Sequence, residues 1–219
     1  MKNLIDFLQA LDLNNNREWF NDHRDLYEEC RDKVLFITEL MINEIRKFDS
    51  GIPPTDPRDC LFRIYRDVRF SQDKSPYKTH FGSFIARGGR KSRYAGYYLH
   101  IEPGGSFFSG GIYMPAPDVL KALRNAIYEQ ADNFLEIIQS PEFTKYFTSI
   151  EGEKLKTNPK GFAPEFDHID LLKYKSYAFS YEKDVTNLTS VEYIHSAAEV
   201  FRALYPANRF LNEALENYL

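Results

Sequence analysis

Cysteine is nearly missing from this chain: Cys30 and Cys60 are the only two in 219 residues. Two are too few for a disulfide framework, and their spacing is not that of a metal clip, so both are expected to be buried thiols. No apolar run reaches the roughly 18 residues a membrane-spanning helix needs. The opening segment MKNLIDFLQALDLNNN carries Asp6 and Asp12 where a secretory leader requires an unbroken apolar stretch. HExxH, CxxC, the phosphate-loop GK[ST] ending, a nucleophile elbow and a dinucleotide fingerprint are all missing. Internal repeats and low-complexity tracts are missing as well. These absences set aside a disulfide scaffold, a membrane role and the familiar catalytic families, and leave a cytoplasmic protein as the expectation.

What is present is an ordinary globular balance, 43% hydrophobic and 27% charged, enough to bury a large core in one domain spanning residues 1–219. The charge is unevenly distributed. Arg58 to Arg93 holds ten Lys or Arg against three acids, a local +7 inside a chain whose net charge is −4. Such an asymmetry points to an anionic partner for the basic segment.

Hydrophobic periodicity predicts a short helix from Asn3, as its N-cap, to about Asp12. A long amphipathic helix from Arg17 to about Lys47 is expected next, with Asn16 as a candidate cap. After the Pro-rich turn at 49–59 the period becomes two. Four strand-like segments follow: CLFRIYRD (60–67), THFGSFIARG (79–88), GYYLHIEP (96–103) and SFFSGGIYMP (106–115). Pro117 opens further helices, GEKLKTN (152–158) and KSYAFSYEK (175–183) are two more strand candidates, and helices on either side of Pro206 close the chain. The expected fold is α+β: an antiparallel meander of about four to six strands with the N- and C-terminal helices mainly on one face.

If residues 61–70 form one strand, Arg63, Tyr65, Asp67 and Arg69 share a face and Arg66 points with the apolar set. A guanidinium so placed needs a carboxylate, carbonyls or a ligand, because arginine cannot neutralise itself. On one reading Arg63, Arg66, Arg69, Lys74 and Lys78 converge on phosphate, sulfate or carboxylate, with Asp67 orienting a guanidinium and Tyr77 stacking or donating. On the other, Arg66 and Arg69 form an internal ion-pair network with Asp67, Asp73 or acids of the long helix. Along GYYLHIEP, Tyr98, His100 and Glu102 share a face. His100 and Glu102 are candidates for acid–base catalysis, or for two ligands of a metal completed by His80. No metal-binding spacing supports the second option, so neither a metal nor a cofactor is assigned. EPGGSFFSGG reads as a hairpin turn, and Trp19 as a core anchor.

The motifs NNNREWF, RIYRDVRFSQDKSPYKTHFG, GYYLHIEPGGSFFSGGIY, EKLKTNPKGF and DLLKYKSY together resemble the conserved hypothetical family called domain of unknown function 2461, in order and over nearly the whole chain. The resemblance implies a full-length domain and marks those motifs as the place to look. It supplies no catalytic residue to carry over. The residues themselves point first to an anionic small molecule bound by segment 63–78, with turnover left open. A protein-interaction module is the alternative. A nucleic-acid-binding module ranks below both, because a pI near 5.8 argues against it.

Overall fold

A computed structural model describes residues 1–219. The chain starts with three helices, α1 (Lys2–Leu13), α2 (Arg17–Asp22) and α3 (Arg24–Ile45), followed by the single turn α4 (Pro57–Cys60). Strands β1 (Phe81–Ile85), β2 (Gly96–Ile101) and β3 (Phe107–Ile112) come next. Helices α5 (Pro117–Glu129), α6 (Ala131–Gln139), α7 (Pro141–Thr144) and α8 (Ile169–Leu172) precede β4 (Tyr177–Glu182), and α9 (Ser190–Tyr218) ends the chain. The strands form one antiparallel sheet in the order β1-β2-β3-β4. The α+β class and the meander expected from the sequence are both present.

The register places Phe81, Ser83, Ile85, Tyr97, Leu99 and Phe108 on one sheet face. Helices α3 and α9 pack against that face. Its aromatic rings interlock with those of α9: Phe108 meets Tyr193 and Phe201 edge-on, and Tyr97 meets Phe201 at a tilt. Each large apolar side chain buried there contributes about 1.5–3 kcal/mol. Close approach of α9 to β3 depends on Gly110, where a Cβ would lie 2.4 Å from Leu204 and 2.3 Å from the Gly96 carbonyl. The next residue, Gly111, has φ +95°, a left-handed conformation that glycine adopts without strain. The opposite face, carrying Phe84, Tyr98, His100, Ser109 and Ser180, has no helix over it.

Five expectations about local structure require correction. Segment 60–67 is extended but is not a strand; its only ladder-like contacts are isolated bridges, Leu61 to Ser83 and Tyr65 to Tyr77. The carboxylates of Asp67 and Asp73 take the backbone N–H groups of Arg69 and Ser75, so local turns replace a continuous ladder. Segment 152–158 likewise makes only isolated bridges, Glu151 to Ala178 just before it and Lys154 to Tyr174 within it. The long second helix breaks at His23, whose ring Nδ1 bonds the Trp19 carbonyl at 2.8 Å and stacks on the indole. Asn16 caps α2 as expected, but α1 begins at Lys2, so Asn3 lies inside it. Finally, α9 runs unbroken through Pro206. Pro206 and Arg202, whose carbonyl loses its helical donor, lie on the exposed side of the helix, while Leu204, Ala207, Phe210 and Leu211 stay buried.

Candidate functional site

Positive charge gathers in a cleft between α3, the stretch from α4 to Arg63 and the turn that follows β1. Its volume is about 730 Å³, and its wall includes Arg31, Arg58, Arg63, Lys78, Arg90 and Lys91, with Asp32 as the only acid. The residues come from four separate stretches. Arg31 projects from α3, Arg58 from α4, Arg63 and Lys78 from the two limbs of the irregular hairpin, and Arg90 and Lys91 from the single 3₁₀ turn Gly89–Lys91. That hairpin is held by backbone bonds from Arg66 N to the Pro76 carbonyl and from Lys78 N to the Ile64 carbonyl, 2.9 and 2.8 Å. Gly89 is required where it stands: its φ is +69° and a Cβ would lie 2.8 Å from the Asp59 carbonyl.

The cleft cations are poorly compensated. Arg31 bonds Asp32, and Arg58 approaches Asp56 only to 3.8 Å. Arg90 donates to the Arg58 carbonyl, a neutral acceptor, at 2.8 Å. Lys78 lies over the Phe62 ring, 5.6 Å from its centroid. Burial, and then the neighbouring Arg63 charge, push the Lys78 ammonium below the usual lysine range. Neither influence is an anion.

The remaining cations of the basic segment are engaged elsewhere. Arg66 is ion-paired with Asp73, and this holds the carboxylate well below its ordinary range. Arg69 makes a two-pronged bond to Asp67, at 2.9 and 2.7 Å, and lowers that carboxyl in turn. Lys74 donates to the Val68 carbonyl at 3.0 Å. Arg87 pairs with Glu216 and Arg93 with Asp118. Tyr77 is a core residue, 4% exposed and stacked on Phe20 with centroids 3.9 Å apart. Of the seven residues expected to converge, only Arg63 and Lys78 reach the cleft, while Arg66, Asp67, Arg69, Lys74 and Tyr77 do not line it. Arg66 is half-buried as the alternation implied, but a carboxylate of its own loop meets it.

A second cavity, about 720 Å³, lies over the helix-free sheet face and shares Phe62, Lys78 and Arg90 with the cleft. Phe84, Tyr98 and Phe107 give it aromatic surface, Ser109, Ser180 and Gly111 leave it room, and His80 stands on its wall. His100 lies behind this wall, 7% exposed. Its Nε2 is 3.0 Å from Glu102 Oε2, its Nδ1 is 3.0 Å from the Tyr98 hydroxyl, and its ring stacks on Phe107 and meets the His80 ring at a tilt. Burial lowers both imidazoles, His80 to about 4, so each is neutral near pH 7. A neutral His100 donates from Nε2 to Glu102 and accepts the Tyr98 O–H at Nδ1. Thr79 Oγ1 lies 3.4 Å from the other Glu102 oxygen. His100 and Glu102 therefore meet as the strand alternation predicts, but it is His80 that lines the cavity.

Sequence reading missed Arg31 altogether, since nothing links a residue of α3 to segment 58–91 before the chain folds. Arg58, Arg90 and Lys91 contribute to the local charge excess, and RGGRKSR was the available signal for two of them. No helix is long and apolar enough to cross a membrane. A family model described as "Conserved hypothetical protein (DUF2461)" matches residues 3–210. No curated protein and no solved structure matches the chain.

Proposed function

The chain belongs to the conserved hypothetical family DUF2461, and for this member we propose that the cationic cleft binds a small phosphorylated or polycarboxylate molecule. One observation carries the reading: six cations and a single carboxylate line one concavity. Like charges held together in a partly dry wall repel, and an arriving anion relieves that repulsion while guanidinium groups offer it paired donors. Lys78 adds to the effect, because an anion beside it favours the charged ammonium that burial and Arg63 disfavour. A volume of about 730 Å³ fits the span of small-molecule sites, roughly 300–1,000 Å³, better than the long groove an extended nucleic acid requires.

The adjoining sheet cavity accommodates the organic part of such a ligand. Phe62 and Lys78 stand at the junction, and aromatic faces at Phe84, Tyr98 and Phe107 favour a planar or apolar group there. We place the protein in the cytoplasm, where phosphorylated and polycarboxylate metabolites are available and where Cys30 and Cys60 stay reduced.

A thermal-shift titration with inorganic phosphate, citrate and nucleotides tests the reading on wild type and on the Arg63→Ala, Lys78→Ala double variant. An anion at 100 times its Kd stabilises by about 2.7 kcal/mol. A higher melting temperature for wild type and none for the folded double variant is expected. No shift with any anion, or the same shift in both proteins, rejects the cleft as the site.

A further inference from the structure

The buried edge of the sheet cavity holds a second constellation, separate from the cationic wall. The ligand atoms of His80, His100 and Glu102 all lie within 4.8 Å of one another. We propose that these three side chains form a site for a divalent transition metal ion of the zinc, iron(II) or cobalt(II) type.

The donor set is the first reason. Two imidazole nitrogens and one carboxylate oxygen suit borderline first-row ions, whereas magnesium and calcium prefer all-oxygen surroundings. Spacing is the second. Donors about 2.1 Å from a common ion stand roughly 3–3.5 Å apart, and His100 Nε2 to Glu102 Oε2 is already 3.0 Å. His80 closes the remaining distance, and the open cavity on which it stands leaves its ring room to turn.

The surrounding hydrogen bonds are the third reason, since metal-binding histidines and carboxylates are ordinarily held by partners of their own. The Tyr98 hydroxyl contacts His100 Nδ1 at 3.0 Å. With an ion on Nε2, that nitrogen's proton leaves, Nδ1 carries the hydrogen, and the hydroxyl changes from donor to acceptor, as a phenol can. Thr79 Oγ1 bonds Glu102 Oε1 and leaves Oε2 free for the ion. Gly82 makes room for this tyrosine, since a Cβ there would lie 2.5 Å from the Tyr98 hydroxyl oxygen. Because only three protein ligands are supplied, coordination positions stay open, as in catalytic and not in closed structural sites.

The site is independent of the anion reading, so its test uses metal alone. Metal-stripped wild type, His80→Asn and Glu102→Gln are titrated with Co²⁺ and then Zn²⁺, following visible cobalt absorption and metal content after dialysis, with circular dichroism confirming that each variant folds. One equivalent of Co²⁺ displaced by Zn²⁺ is expected in wild type, with at least a tenfold weaker affinity in both variants. Tyr98→Phe removes only the supporting bond and should weaken affinity roughly 10- to 100-fold. No uptake by wild type overturns the proposal, and so does uptake equally strong in His80→Asn and Glu102→Gln. Anion binding, present or absent, leaves both outcomes readable.

Discussion

Arg63 and Arg66 stand three residues apart in one basic run, yet they belong to regions of opposite character. Around Arg66 the loop pairs most of its own charge: Asp73 takes Arg66 and Asp67 takes Arg69, while Lys74 donates to the Val68 carbonyl. Around Arg63 nothing of the kind happens. Its neighbours across the cleft are Lys78, Arg90, Lys91 and Arg58, drawn from other parts of the chain and short of carboxylates. Both regions are rich in cations, but the loop carries acids of its own to pair with them and the cleft has only Asp32 on its wall. A ligand site is marked by cations the protein does not satisfy, and the number of cations in a run does not reveal it.

Sharpening this contrast begins with Tyr77, which occupies the same motif but belongs to neither region. Because it is buried against Phe20, Tyr77→Ala should destabilise the fold by about 3–5 kcal/mol in urea denaturation. An unchanged unfolding midpoint would return Tyr77 to the list of candidate ligand groups. Next come the unsatisfied cations. Arg63→Ala and Lys78→Ala should each remove a charge-assisted bond of about 1.5–3 kcal/mol, a loss of roughly tenfold or more in anion affinity by calorimetry, with little change in melting temperature.

A pH series gives a smaller effect with a definite sign. Lys78 has its folded value depressed below the ordinary 10.5, so in the folded protein it loses its proton earlier than a free lysine as pH rises. Anion affinity should therefore begin to fall below pH 10.5, and Lys78→Arg should move that decline upward. For the unliganded protein, a depressed value means that the contribution of Lys78 to stability is present above the unfolded value and lost as pH falls through the folded one. The smallest effect is expected in the self-paired loop. Arg69→Ala and Asp67→Asn, fully solvated partners, should leave anion affinity within twofold. A large loss there would erase the distinction between the two regions.

Much of the framework was legible in the chain because it rests on local periodicity. Alternation along GYYLHIEP placed His100 and Glu102 together on the face away from Tyr97 and Leu99, and the register agrees. Pro117 opens α5 as its fixed φ allows. Alternation in 62–68 foretold the inward lean of Arg66 even though no ladder formed, since burial follows side-chain direction more than hydrogen bonding. Pro206 misled, because its local rule yields when apolar residues on both flanks are buried against the sheet and α5. The cleft was legible only as a charge excess.

What the sequence by itself determined, then, was the class of fold, the meander of β1 to β3, and a surplus of positive charge that the acids of its own segment cannot cancel. Tertiary structure decided which charges stay uncancelled. Ion pairs form over a few ångströms, and folding brings Glu216 to Arg87 and Asp118 to Arg93 while it gathers Arg63, Lys78, Arg90 and Lys91 around one cleft. Distance in space, set by the packing of α3 and α9 on the sheet, chooses between pairing and exposure, and no reading along the chain contains that distance.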